Sequence, residues 1–140
     1  MRNISSIRQN PGKILAFGNY AAGYQTILDF DYLCGKDAPS IAGIVTASAK
    51  FQKFFWGNGE VLIPCFPTAD KAKASLGSVE WMLNINSGRR AFQSTVSFFD
   101  AFPDALGGHI FAEDVPEIHA LEPASYTHLR AHETGRNLVC

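Results

Sequence analysis

The chain has 140 residues, 46% of them hydrophobic, and a formal net charge of -1. That is enough for one globular domain with a real core and leaves little room for a second. Near-zero charge argues against a nucleic-acid surface, which needs a basic stripe. No apolar run is long enough to span a bilayer, and Met1 to Asn10 is polar with two arginines instead of the apolar stretch of a secretory signal. A soluble cytoplasmic protein with no membrane partner is expected. Cys34, Cys65 and Cys140 are widely spaced, with no CxxC pair and no metal-ligand rhythm. Reduced thiols and no metal site are therefore expected.

After a polar segment over residues 1–12, Lys13-Ile14-Leu15-Ala16-Phe17 is an apolar run ending at Gly18, which predicts a buried strand. A helix is expected from Tyr24 to about Cys34, with Ile27, Leu28 and Phe30 at helical spacing. Asp37-Ala38-Pro39-Ser40 reads as a turn, and Ile41 to Thr46 as a second strand. Phe54-Phe55-Trp56 and Val61-Leu62-Ile63 are β-prone runs on either side of Gly57-Asn58-Gly59, where Asn-Gly predicts a hairpin. Thr68 caps a short helix through Leu76. Val79 to Ile85 is a third buried strand. Ser87 to Phe102 is an amphipathic helix with Ala91, Phe92, Thr95, Phe98 and Phe99 as its inner stripe. Ala105 to Ala112 is the next strand, and Pro116-Glu117 begins another helix.

The alternation of strands and helices over residues 13–124 predicts an α/β fold, a mostly parallel sheet with helices on both faces. Ligands bind such sheets at the carboxyl ends of the strands, so the loops at Gly18, Asn86 and Glu113 are the ones to inspect. At Gly18 a glycine between strand and helix lets backbone N–H groups approach a phosphate, whose charge the helix N-terminus favours. The loop has no full GxGxxG, and a βα turn also uses glycine for geometry alone.

From Ser125 the character changes. Ser125 to Thr134 resembles one reading frame of a common sequencing-library adapter, and Asn137-Leu138-Val139-Cys140 resembles its continuation. Residues 125–140 are therefore expected to be a non-native tail on a domain cut short. A His128–His132 metal pair is discounted with them.

Four segments carry a family resemblance. Gln25 to Cys34, containing Leu28-Asp29-Phe30-Asp31-Tyr32, is the first; Gln52-Lys53-Phe54-Phe55-Trp56-Gly57 with Glu60 to Pro64 and Phe66 is the second. The others are Leu83-Asn84 through Ser87, Arg89, Ala91, Phe92, Ser94 and Thr95, and Ala112-Glu113-Asp114-Val115-Pro116-Glu117. In this order and spacing they resemble the ATP-citrate lyases, relatives of the succinyl-CoA synthetases that hold coenzyme A on a Rossmann-like domain. The resemblance implies an acyltransferase converting citrate, CoA and ATP to acetyl-CoA, oxaloacetate, ADP and phosphate through a phosphohistidine. ATP, Mg²⁺ and citrate would be bound outside this stretch, in an oligomeric parent. The fragment alone is expected to be inactive, because the phosphohistidine, ATP-grasp and lyase parts lie beyond it. A citryl-CoA or succinyl-CoA synthetase subunit, and a non-catalytic CoA- or nucleotide-binding module, are the alternatives.

The resemblance also implies roles. Gly18 would lie beside the CoA pyrophosphate, and Ser87 and Arg89 would contact the nucleotide. Phe54 and Ile85 would pack against adenine, with Phe111 lining the same pocket. Glu113 would support catalysis near the phosphohistidine. Ile85 replaces a family aromatic, and Asp114 replaces a family glycine, bringing a charge beside a phosphate-rich ligand. His109 and His119 do not match the phosphorylated histidine. Ending after the last strand would also leave a sheet edge uncovered, from which poor solubility is expected.

Overall fold

In a computed structural model, residues 12–111 are described, together with the backbone of two short strands at 132–134 and 137–139. In chain order the elements are β1 (Ile14–Phe17), α1 (Ala21–Leu33), β2 (Ile41–Val45), β3 (Phe51–Trp56) and β4 (Gly59–Phe66). They continue with α2 (Ala69–Leu76), β5 (Trp81–Asn84), α3 (Arg89–Ala101), β6 (Gly107–Ile110), β7 (His132–Thr134) and β8 (Asn137–Val139). The strands form one sheet in the order β3-β4-β2-β1-β5-β6-β8-β7. From β4 to β6 every pairing is parallel, while β3 joins β4 and β8 joins β6 antiparallel. This is the expected mostly parallel α/β architecture.

Leu15, Ala16 and Phe17 of β1 are at most 2% exposed. Such a continuous apolar run is what a strand covered on both faces requires. Alternation along β1 sends Ala16 to one face, with Tyr24 and Leu28 of α1, Ile44, Phe54 and Ile63. Leu15 and Phe17 go to the other, with Ala69 and Ala72 of α2 and Ala91, Phe98 and Phe99 of α3. Phe17 and Phe98 meet edge-on at 6.0 Å. The α1 face is less apolar than its spacing suggested: Asp31 is buried in it, while Phe30 points outward. The Asp31 carboxylate accepts from Lys36 Nζ at 2.8 Å, Ser40 N at 2.7 Å and Ser40 Oγ at 2.9 Å. That lock ties the end of α1 to the start of β2.

Several element ends differ from expectation for local reasons. Helix α1 starts before Tyr24 because Tyr24 N donates to Tyr20 O, making Tyr20 the cap. The hairpin turn is Gly57-Asn58, one residue before the Asn-Gly pair, since Gly59 already pairs with Trp56. This register sets Phe54 opposite Val61 and keeps both toward α1, whereas a one-residue slip would turn Phe54 out to solvent. Gly57 supplies the positive φ, 60°, that the turn needs. The expected cap of α2 is present: Thr68 Oγ1 accepts from Lys71 N at 3.2 Å. Strand β6, expected to be an open edge, carries β8 along it in the pairs His109↔Val139 and Ile110↔Leu138. The expected helix at Pro116-Glu117 lies outside the described residues.

Candidate functional site

The strand order reverses between β1 and β5. From β1 the chain winds outward through α1 to β2; from β5 it winds the other way through α3 to β6. Crevices at such reversals, outside the carboxyl ends of the strands, are where open α/β sheets take ligands.

Gly18 ends β1 at this reversal. Its N–H donates to Val45 O at 3.3 Å, and its carbonyl accepts from Tyr24 Oη at 2.8 Å. Its φ is +108°, and a Cβ there would sit 2.8 Å from Ile85 Cγ1 and 3.0 Å from Asn86 Oδ1. Only glycine combines this backbone with so close an approach of the loop after β5. Tyr24 is fully buried, and burial, with Cys65 nearby, pushes its phenol well above the ordinary range. It therefore acts as a neutral donor that pins the loop. Its ring meets Phe54 edge-on at 6.4 Å. Gln52 adds a second tie, donating through Nε2 to Asn19 Oδ1 at 2.9 Å.

The other wall is organised by Asn84, which is completely buried. Its Nδ2 donates to Ala91 O at 2.9 Å and Thr95 Oγ1 at 3.1 Å. Its Oδ1 accepts from Asn86 N at 3.1 Å. One side chain thus fixes the end of β5, the loop and the first turns of α3. Asn86 in turn donates through Nδ2 to Ser94 Oγ at 2.6 Å.

The sequence-predicted residues divide as follows. Gly18 and Ile85 touch across the crevice. Phe111, whose N–H donates to Asn84 O at 2.8 Å, stands beside Ile85 at the sheet edge and is 56% exposed. Ser87 and Arg89 are exposed at the start of α3. Phe54 is only 4% exposed and packs against Tyr24, so it shapes the site from within the core. Glu113 lies outside the described residues. His109, half-buried in β6, has its pKa lowered by burial, and its ring lies 6.0 Å from that of Phe111.

On the α2–α3 side of the same edge lies an open cleft of about 530 Å³. Phe17, Val45 and Thr46 contribute from the ends of β1 and β2, and Thr68 and Asp70 from the start of α2. Asn86 and the α3 residues Arg90, Gln93, Ser94, Ser97 and Asp100 complete it. Asn84 and Arg90 were not among the site residues expected from the sequence. The available signal for Asn84 was an amide closing the apolar run Trp81-Met82-Leu83, where only a buried partner makes an amide tolerable.

Fold and edge together define a mostly parallel, Rossmann-like α/β domain whose strand order reverses between β1 and β5. Over most of its length the chain is homologous to one segment of ATP-citrate synthase, the enzyme also called ATP-citrate lyase. Probable ATP-citrate synthase subunit 1 of Schizosaccharomyces pombe is 35% identical over 112 residues, which is 79% of this chain and 18% of that protein. ATP-citrate synthase of Homo sapiens is 36% identical over 108 residues, 75% of this chain and 10% of that protein. The solved structure of ATP citrate lyase from Methanothrix soehngenii, in complex with citrate and coenzyme A, superposes with a TM-score of 0.74 at 30% identity. It covers 83% of this chain and 19% of the other. The chain thus spans less than a fifth of the length of these relatives. No protein-family profile matches it.

Proposed function

We propose that this chain supplies the coenzyme-A-binding segment of an ATP-citrate lyase, a cytoplasmic enzyme forming acetyl-CoA and oxaloacetate from citrate, CoA and ATP. The observation that carries the reading is the turn at Gly18, which lies where the strand order reverses and whose lack of a side chain lets Ile85 and Asn86 close in on its backbone. A pyrophosphate placed over Gly18 meets backbone without side chain, at the start of a 13-residue helix whose field favours an anion. Arg89, at the start of α3, offers the planar fork suited to a phosphate of the nucleotide, with Ser87 beside it. Ile85 and Phe111 present apolar side chains at the same edge, and Glu113, which follows β6 in sequence, would support the chemistry. Coenzyme A supplies the thiol that accepts the acyl group; the residues here bind and orient it. ATP, Mg²⁺ and citrate belong to other parts of an oligomeric enzyme.

Titration calorimetry with CoA on the 140-residue chain tests this. One saturable site is expected, weakened roughly ten- to a hundredfold by Arg89→Ala, as loss of a charge-assisted phosphate contact requires. No heat from a chain that melts cooperatively would overturn the reading. The chain alone is expected to form no acetyl-CoA from citrate, CoA and ATP.

A further inference from the structure

We propose that Tyr24 is the positioning residue of the turn after β1: its hydroxyl holds the Gly18 carbonyl inward and so keeps the Asn19 N–H turned outward, to the pyrophosphate. The inference rests on the coenzyme A reading above and adds to it the residue that fixes which way the turn is polarised.

The reach comes from the helix. Tyr24, Leu28 and Asp31 are the buried residues of α1, at the spacing of one helical face. Helical side chains lean back toward the N-terminus. A tyrosine in the first turn of α1 therefore carries its hydroxyl past the helix start to Gly18, six residues earlier, whose carbonyl it meets at 2.8 Å. The phenol is fully buried, so its proton needs an acceptor, and among the described residues Gly18 O is the acceptor it has.

Peptide geometry carries this to the ligand. The Gly18–Asn19 bond is trans, so its carbonyl and its N–H point in opposite directions. With the carbonyl turned into the core beside α1, the N–H of the exposed Asn19 points away from it and meets no acceptor among the described residues. Tyr20 then caps α1 without a side-chain hydrogen bond. The donors at this end are left for a ligand.

The glycine makes the hold necessary. Without a Cβ, the peptide after Gly18 turns over at little steric cost. Turned over, it presents a carbonyl oxygen to a phosphate in place of a donor. Tyr24 disfavours that state, because its buried proton would lose its acceptor. On the other side of the residue Gly18 N–H is already bonded to Val45 O at 3.3 Å, and Asn19 is steadied by the Gln52 amide at 2.9 Å.

The test is calorimetry with CoA on the whole chain and on Tyr24→Phe, which keeps the ring and its edge-on contact with Phe54. CoA is expected to bind the variant roughly tenfold more weakly. Dephospho-CoA, which has the same pyrophosphate, should lose the same factor. Ile63→Val, in the same core cluster, should lower the melting temperature and leave CoA affinity unchanged. In amide NMR spectra the Asn19 proton is expected to move downfield as CoA is added to the parent, as an N–H donating to an anion does, and to move less in Tyr24→Phe. Unchanged affinity in a folded Tyr24→Phe, or a loss for CoA alone, overturns the role of Tyr24. So does an equal loss in Ile63→Val, which would make the effect one of core stability. An Asn19 amide that does not respond to CoA in the parent overturns it without any variant. Each of these results, with binding by the parent and weakening by Arg89→Ala, leaves the coenzyme A reading standing; absence of binding by the parent removes both.

Discussion

His109 is the residue through which acid should act on this domain. It sits half-buried in β6, and burial alone lowers its pKa below the ordinary 6.5. In acid the unfolded chain therefore takes up the proton before the folded chain does. The stability is complete above about pH 6.5 and is lost as pH falls from there through the lowered folded-state value. The melting temperature is expected to drop over that window, and His109→Leu should remove this part of the drop. Scanning calorimetry from about pH 8 to about pH 5 decides it; equal slopes in parent and variant would mean His109 is not the group. At this scale the sequence was informative where one residue type has one use. Gly18 was legible as the turn glycine that ends the first strand, where the backbone takes a positive φ. The facing of Arg90 toward the α2–α3 cleft was not, because neighbouring helical residues point about 100° apart and only the packing of α3 against α2 settles which one lines it. Phe54 was legible as a hairpin aromatic of the kind that is usually core, but the partners that bury it, Tyr24 and α1, arrive from elsewhere in the chain.

Among the elements, the unit that builds the site is β5, its loop and α3, and Asn84 holds it together. Replacing Asn84 with Leu keeps the branched outline but leaves Asn86 N–H without its acceptor and removes the amide's two donated bonds. An unsatisfied buried group costs about 1–3 kcal/mol, so Asn84→Leu is expected to melt several degrees lower. It should also bind CoA more weakly, because Asn86 is no longer held against Gly18. A variant with unchanged melting and unchanged affinity would show that the loop is fixed by other means. Strand and helix types were readable here from periodicity and caps, as with Thr68 before α2. Boundaries were not, because they are set by partners. Strand β5 begins only at Trp81, after Glu80 and Trp81 have both bonded the carbonyl of Lys13. The hairpin turn moved by one residue because burial of Phe54 and Ile63 against α1 outweighs the local preference of Asn-Gly.

At the scale of the whole sheet the question is what protects its edges. The runs that extend the sheet beyond β6, Asn137–Val139 beside it and His132–Thr134 next, were not legible as strands, since three residues cannot display a period of two. At the far side β3 is the last strand, and it was legible: its alternation puts Gln52, Phe54 and Trp56 toward α1 and Phe51, Lys53 and Phe55 outward. Phe51 and Phe55 are 57% and 64% exposed, and Leu62 on β4, opposite Lys53, is 59% exposed. Lys53 is the single charge of β3, and it reaches Glu60 at 3.5 Å across the hairpin. Both partners are largely exposed, so the pair itself adds little to stability. Its larger effect is to interrupt what would otherwise be an apolar stripe along an edge with no strand partner among the described residues, the arrangement that recruits strands from other chains. Lys53→Ile is therefore expected to leave the melting temperature nearly unchanged while promoting self-association. Sedimentation velocity at rising concentration should show larger species in the variant than in the parent. A variant as dispersed as the parent would mean that the twist or covering of β3, and not this lysine, keeps the edge closed.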